Sequence, residues 1–195
     1  MSEIKPRYEL RIWGDSLSAL RDKLRSLAQP SQRSSDETYL ISATTERSNV
    51  KVRADLMDIK VLVAEDRELE QWKPILKAGF PLSQTVIVEQ VFPNFELPPP
   101  PLTKSDFGFD EFLHDVIKPN PKIAIVSVSK TRYQYTVGVC TAEYSQITIN
   151  GMARDTVAVE STDADAVLQL KQQLAIEQPN VSYIREIRRI LGWGA

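Results

Sequence analysis

Lys51 and Arg53, and again Lys130 and Arg132, stand two residues apart inside runs that alternate apolar and polar side chains. Glu9 and Arg11 share that spacing, and Lys60 lies in a similar run. On an extended chain, residues two apart project from one face, so each pair presents its charges together. Arg11, Lys51, Arg53, Lys60, Lys130 and Arg132 make six cations on segments that read as strands, joined by the carboxylates Glu9, Glu143 and Glu160. Two like charges about 4 Å apart repel by about 4 kcal/mol at a protein-like dielectric. If these faces converge, water, the acidic residues and a polyanionic ligand have to offset the crowding.

The elements that must carry these residues can be traced along the chain. Residues 7–13 alternate, with Tyr8, Leu10 and Ile12 on one face and Arg7, Glu9, Arg11 and Trp13 on the other. Gly14 and Asp15 end that strand, and Leu17, Leu20, Leu24 and Leu27 predict an amphipathic helix capped by Asp15 or Ser16. Strands are expected at 38–42, 50–55 and 57–63. The apolar spacing of Leu69, Trp72, Ile75 and Leu76 then predicts a helix over 66–78. Residues 85–92 read as β-rich, and Pro98 to Pro101 as a stiff surface connection inside the domain. A short helix at 110–117 precedes strands at 123–136, 139–150 and 154–160, the last two forming a hairpin through Gly151. Thr162 is the expected cap of a following helix, and Asn180 precedes a last one.

Composition bounds the function. The chain has 195 residues, 42% of them hydrophobic, enough for one well-developed core, so a single domain over 1–195 is the expectation. A net charge of −2 with no basic stripe argues against nucleic acid as the partner and leaves anion binding to local placement. One cysteine, Cys140, and one histidine, His114, exclude an internal disulfide and a thiolate or imidazole zinc site, so any metal must be held by carboxylates. No apolar run reaches spanning length and residues 1–6 lack a signal-peptide core, so the expectation is a cytoplasmic protein with no membrane partner. There is no P-loop and no dinucleotide fingerprint, so a phosphate grip has to be built from side chains. Oligomeric state is left open.

Alternation alone fits two architectures equally: an open antiparallel sheet with one solvated charged face, or a barrel of roughly eight strands that leaves room for one small ligand. The chain order favours the second. A strand, a covering helix, a basic hairpin, an insertion, a further basic strand and an acidic hairpin resemble the CYTH family, the triphosphate tunnel metalloenzymes. Such proteins open with Glu-x-Glu-x-Lys, continue with Arg-x-Arg and Lys strands, and later present a Lys-x-Arg strand and an acidic hairpin. Here Glu9 and Arg11 fall at the second Glu and the Lys of the opening motif. Lys51 and Arg53, Lys60, and Lys130 and Arg132 match the basic strands, Glu160 matches the last Glu of the late pair, and Glu143 the preceding acidic position. The departures are Arg7 at the first Glu, Arg11 at the Lys, and Ala158 at the first Glu of the late pair.

The resemblance implies an α+β fold, an antiparallel, roughly eight-stranded barrel enclosing a tunnel with helices packed outside. It also implies a triphosphatase acting on inorganic triphosphate, a nucleoside triphosphate or thiamine triphosphate with Mg²⁺ or Mn²⁺. Arg11, Lys51, Arg53, Lys60, Lys130 and Arg132 would then bind phosphate, Glu9, Glu143 and Glu160 would share the metal, and Glu9 and Glu160 would be the catalytic carboxylates. Arg11 in place of Lys keeps a cation able to grip phosphate bidentately, whereas Arg7 keeps no metal ligand and weakens Mg²⁺ binding nearby. The alternative is a non-catalytic protein that binds or senses a small polyanionic phosphate ligand. His114 reads as a surface or packing residue and Cys140 as a buried strand residue. The arginines at 185, 188 and 189 read as solvent-facing charge, and Arg67 and Glu68 as part of an exposed helix face.

Overall fold

In a computed structural model that describes residues 5–193, strand β1 (Arg7–Gly14) is followed by helix α1 (Ser18–Leu27) and strands β2 (Ser31–Ser42), β3 (Ser48–Arg53), β4 (Leu56–Asp66) and β5 (Leu69–Gly79). An insertion then holds β6 (Leu82–Ser83), helix α2 (Gln84–Val86), β7 (Asp106–Phe107) and helix α3 (Phe109–Glu111). Helix α2 runs on through a π turn, Ile87–Val91, and a 3-10 turn, Phe92–Phe95, while α3 runs on through a π turn, Phe112–Ile117. The long strands β8 (Ile123–Val137), β9 (Cys140–Ile149) and β10 (Met152–Ser161) precede helices α4 (Ala164–Leu174) and α5 (Tyr183–Ile190).

The strands close into an antiparallel barrel in the order β1-β10-β9-β8-β2-β3-β4-β5, with β1 pairing back onto β5, and β6 and β7 form a separate two-stranded sheet. Closure removes the unpaired strand edges that an open sheet exposes, and it decides between the two architectures that alternation alone leaves open.

By packing, the chain divides into two compact units. The first comprises Met1–Ser35, Leu62–Lys73 and Val128–Ser182, and the second Asp36–Val61, Pro74–Ser127 and Tyr183–Ala195. In the first, Leu10 and Ile12 of β1, Ala142 and Tyr144 of β9, and Val157 and Val159 of β10 pack against Leu24 of α1 and Val167, Leu170 and Leu174 of α4. In the second, Leu40, Val50, Val52, Met57 and Ile59 pack against Ile87, Val91, Phe92, Phe95, Phe112 and Val116. Phe92 and Phe95 are fully buried in this core, and Leu97 of the proline segment packs on it.

Two expected elements are of the other type. Residues 66–78 form the end of β4 and strand β5 rather than a helix. Arg67 and Glu68 both adopt positive φ, 48° and 71°, as a tight two-residue hairpin turn requires. The turn commits the following residues to pairing with β1, where Arg7, Tyr8 and Glu9 oppose Trp72, Gln71 and Glu70. Conversely, the β-branched run 85–92 is helical. Ile87, Val91 and Phe95 recur every four residues and are buried together, and the Ser83 hydroxyl accepts from the Val86 N–H at 3.3 Å to start the helix.

Helix starts differ in detail from the sequence reading. Neither Asp15 nor Ser16 caps α1. The Asp155 carboxylate on β10 accepts the Leu17 N–H at 2.9 Å instead, bringing negative charge to that helix end. The cap of α4 is Asp163, one residue beyond Thr162, and its side chain accepts from the N–H groups of Asp165 and Ala166.

Candidate functional site

Because Leu10, Ile12, Val157, Val159, Ala142 and Tyr144 face the helices of the first unit, the alternate residues of β1, β10 and β9 face the other way. Register sets the rows on that face. Glu9 lies opposite Glu160 on β10 and Glu70 on β5, and Arg11 lies opposite Ala158, which lies opposite Glu143 on β9. Glu143 lies opposite Gln134 of β8, and Arg132 opposite Ser145. Four of the expected residues, Glu9, Arg11, Glu143 and Glu160, are thereby neighbours, with Arg132 on the same face.

Arg11 is the centre of this group and only 4% exposed. Its Nε donates to Glu9 Oε1 at 2.8 Å, one terminal nitrogen donates to the Thr156 hydroxyl at 3.2 Å, and the same nitrogen is 3.9 Å from Glu143 Oε1. The Ser145 hydroxyl donates to that same Glu143 oxygen at 2.8 Å. Arg7 holds the other end of the row. It donates to the Thr141 hydroxyl at 3.0 Å and the Glu160 carbonyl at 3.2 Å, with its Nε 3.7 Å from the Glu160 carboxylate.

The backbone of β1 beyond Glu9 is tied down by the segment after α4. Asn180 Oδ1 accepts the Arg11 N–H at 2.7 Å, its amide nitrogen donates to the Glu9 carbonyl at 3.1 Å, and the Val181 N–H donates to the Arg11 carbonyl at 2.8 Å. The Trp13 indole N–H donates to the Val181 carbonyl at 2.8 Å. These bonds satisfy main-chain groups that would otherwise lack partners, and they hold the Arg11 side chain in register with its carboxylates.

Lys130 is buried, at 5% exposure. Arg132 donates a long bond of 3.4 Å to the Ser35 hydroxyl, and its Nε is buried with no hydrogen-bond partner among the described residues.

The second unit carries its own charged cluster. Lys51 donates to Glu37 Oε2 at 3.0 Å and Arg53 to Glu37 Oε1 at 3.5 Å, and the Glu37 side chain is fully buried. Lys51 also lies over the Tyr39 ring, which stacks on Tyr183 of α5. Burial holds the Lys51 ammonium below its ordinary pKa, against the opposing pull of Glu37. Lys60 lies opposite Asn49, and Asp58 opposite Lys51.

The chemistry of the donor set tests whether Mg²⁺ or Mn²⁺ fits. Each of the three carboxylates expected to share a metal is on a guanidinium: Glu9 and Glu143 on Arg11, Glu160 on Arg7. Among the described residues no group of three or more His, Cys, Asp or Glu side chains is gathered so as to hold a metal ion. The residues present do not fit the divalent-metal site that the family resemblance implies.

Three residues take part in ways the sequence does not suggest. Glu70 was hidden by the helix expected at 66–78. It is 3% exposed, accepts from the Trp72 indole at 3.0 Å, and places a further carboxylate opposite Glu9. Glu37 lies in the polar stretch before 38–42 that β2 incorporates, and its alternation with Tyr39 was the available signal. Asn180, which by sequence only precedes the last helix, fastens the β1 backbone. The other singled-out residues have structural roles. Arg185 pairs with Glu46, Arg188 donates to the Ser42 and Thr45 carbonyls, and Arg189 pairs with Glu186. Arg67 and Glu68 pair with Asp165 and Lys171 of α4. His114 is exposed beside Asp115, and Cys140 is a buried strand residue whose thiol burial pushes up.

No protein-family model and no curated protein matches the sequence. Solved structures do match the fold. The PH1012 protein of Pyrococcus horikoshii is 13% identical, covering 92% of this chain and 94% of its own, at a TM-score of 0.53. A candidate adenylyl cyclase from Hippeastrum, described as having a dominant triphosphatase activity, is 12% identical, with 95% and 96% covered and a TM-score of 0.53. A candidate adenylate cyclase from Bacillus halodurans is 14% identical, with 94% and 97% covered and a TM-score of 0.51. The chain therefore has a CYTH-like barrel fold. No helix among the described residues is long and apolar enough to cross a membrane.

Proposed function

We propose that this chain binds a triphosphate-type polyanion through cations carried on its strands. The observation that carries the reading is Arg132. Its Nε–H is buried without a hydrogen-bond partner among the described residues, on the face that also presents Arg11, and a buried unsatisfied charged donor costs at least about 1–3 kcal/mol. A phosphate oxygen supplies the acceptor such a donor lacks and does so with charge assistance. Lys130 is assigned to the same grip, since it is two residues away on the same strand and buried. Arg11, fixed by Glu9, Glu143 and Thr156, presents a guanidinium of set orientation. In the second unit, Lys51, Arg53 and Lys60 are assigned to phosphate binding as a cluster of their own, with Glu37 as the internal counter-charge.

Hydrolysis of the bound ligand is the second reading. Glu9, Glu70, Glu143 and Glu160 share the face of Arg11, and carboxylates there can orient a water for in-line attack on a phosphoryl group whose charge the guanidinium groups stabilise. The Hippeastrum neighbour described as a triphosphatase supports this reading by fold.

Calorimetric titration with inorganic triphosphate, ATP and thiamine triphosphate, run beside a phosphate-release assay, tests both. Saturable binding of at least one triphosphate that weakens in Arg132→Ala is expected, and release abolished by Glu160→Gln would establish turnover. Absence of binding to all of them refutes the proposal.

A further inference from the structure

We infer that Arg7 and Arg11 take the place of a divalent cation, so that the first unit receives its phosphate ligand without metal. The inference rests on the phosphate reading above and concerns what neutralises the ligand. Glu9, Glu143 and Glu160 would be the natural oxygen donors for a hard cation, yet two guanidinium groups already occupy their coordination space. Arg11 Nε is 2.8 Å from Glu9 and one terminal nitrogen 3.9 Å from Glu143, and Arg7 Nε is 3.7 Å from Glu160.

These pairs are built into the fold. Arg11 is 4% exposed and further held by Thr156, and the β1 backbone that carries it is fastened by Asn180 and Val181. Arg7 is anchored to Thr141 and to the Glu160 carbonyl. A divalent ion would have to break a guanidinium–carboxylate contact and then remain beside the displaced cation, since neither arginine can lose its proton.

The two guanidinium groups together bring two positive charges, the same as Mg²⁺, but on N–H donors fixed to the protein and able to grip phosphate oxygens in pairs. The carboxylates thereby change role. Instead of coordinating an ion, they orient the arginines, which makes Glu9, Glu143 and Glu160 positioning residues for phosphate binding.

The test uses the full chain and inorganic triphosphate. Calorimetric affinity measured in excess chelator should equal or exceed that in Mg²⁺, because Mg²⁺ competes for the free ligand. Manganese paramagnetic resonance on the ligand-free protein should show no loss of the free Mn²⁺ signal. Arg7→Glu should lower triphosphate affinity in chelator by about tenfold or more and introduce Mn²⁺ uptake, whereas Arg7→Gln should lower affinity without Mn²⁺ uptake. Binding that requires Mg²⁺, or stoichiometric Mn²⁺ uptake by the wild-type chain, overturns this inference and leaves the triphosphate reading intact. Absence of binding with or without metal overturns the triphosphate reading and this inference with it. The wild-type measurements decide the matter even if a variant fails to fold.

Discussion

Replacing Arg132 by methionine should separate binding from folding in opposite directions. The substitution keeps a long apolar stem, removes the charge two residues from Lys130, and deletes the buried Nε donor that has no partner among the described residues. An unsatisfied buried donor costs about 1–3 kcal/mol, and the bond that this side chain donates to Ser35 is long at 3.4 Å. Arg132→Met should therefore leave the ligand-free protein as stable as the wild type or more so. In a chain of this size each kcal/mol gained raises Tm by about 2–4 °C. Triphosphate affinity should fall, because a hydrogen bond to a charged group contributes about 1.5–3 kcal/mol, equivalent to about 10- to 150-fold in Kd. Scanning calorimetry of the free protein gives the first quantity and titration calorimetry the second. Wild-type affinity in the variant, or a loss of more than about 1 kcal/mol in the free protein, would show that the guanidinium holds the fold rather than a ligand.

Glu37→Gln should be among the most disruptive single changes, because it leaves Lys51 and Arg53 without their buried counter-charge. Breaking a buried pair in this way costs about 3–5 kcal/mol, readable in urea denaturation and partly reversed by added triphosphate. Tyr144→Phe removes the donor that serves Asp155 at 2.9 Å, and should cost about 1.5–3 kcal/mol by the same measurement. Desolvation, and then Asp155, push the Tyr144 phenol up to about 12. Its phenolate absorbance should therefore appear late, and because the folded chain keeps a proton that the unfolded chain releases, this group's contribution to stability is lost as pH rises from the ordinary tyrosine value through about 12. Lys51 has the opposite sign. Its folded pKa is lowered by burial, so between that value and the ordinary lysine value the unfolded chain holds more protons and stability rises with pH. Lys51→Met should flatten that rise.

The strands and their faces were legible wherever apolar and charged residues alternate strictly. The pairs Lys51 and Arg53, and Lys130 and Arg132, lie on strands β3 and β8 as read, and the hairpin through Gly151 joins β9 and β10. The misread segments are those where spacing is ambiguous. Leu69, Trp72 and Leu76 suit a helix by separation, but the positive φ of Arg67 and Glu68 turns the chain into a hairpin, and with it Glu70 comes opposite Glu9. In 85–92, β-branched residues suggested a strand, yet burying Ile87, Val91 and Phe95 on one core favoured a helix. Local preference is weak against the area gained by packing.

By itself the sequence determined which charges share a strand face, because a period of two is a property of the extended backbone and needs no partner. It also excluded metal sites built from several thiolates or imidazoles, since Cys140 and His114 are each the single residue of their type. Only tertiary structure decided that the sheet closes, because an open sheet and a barrel have the same alternation. Only tertiary structure decided, too, that Arg7 meets Glu160 across 153 positions and that Arg11 meets Glu9 and Glu143. Whether a carboxylate meets a metal or a guanidinium depends on strand register, which pairing between distant segments sets.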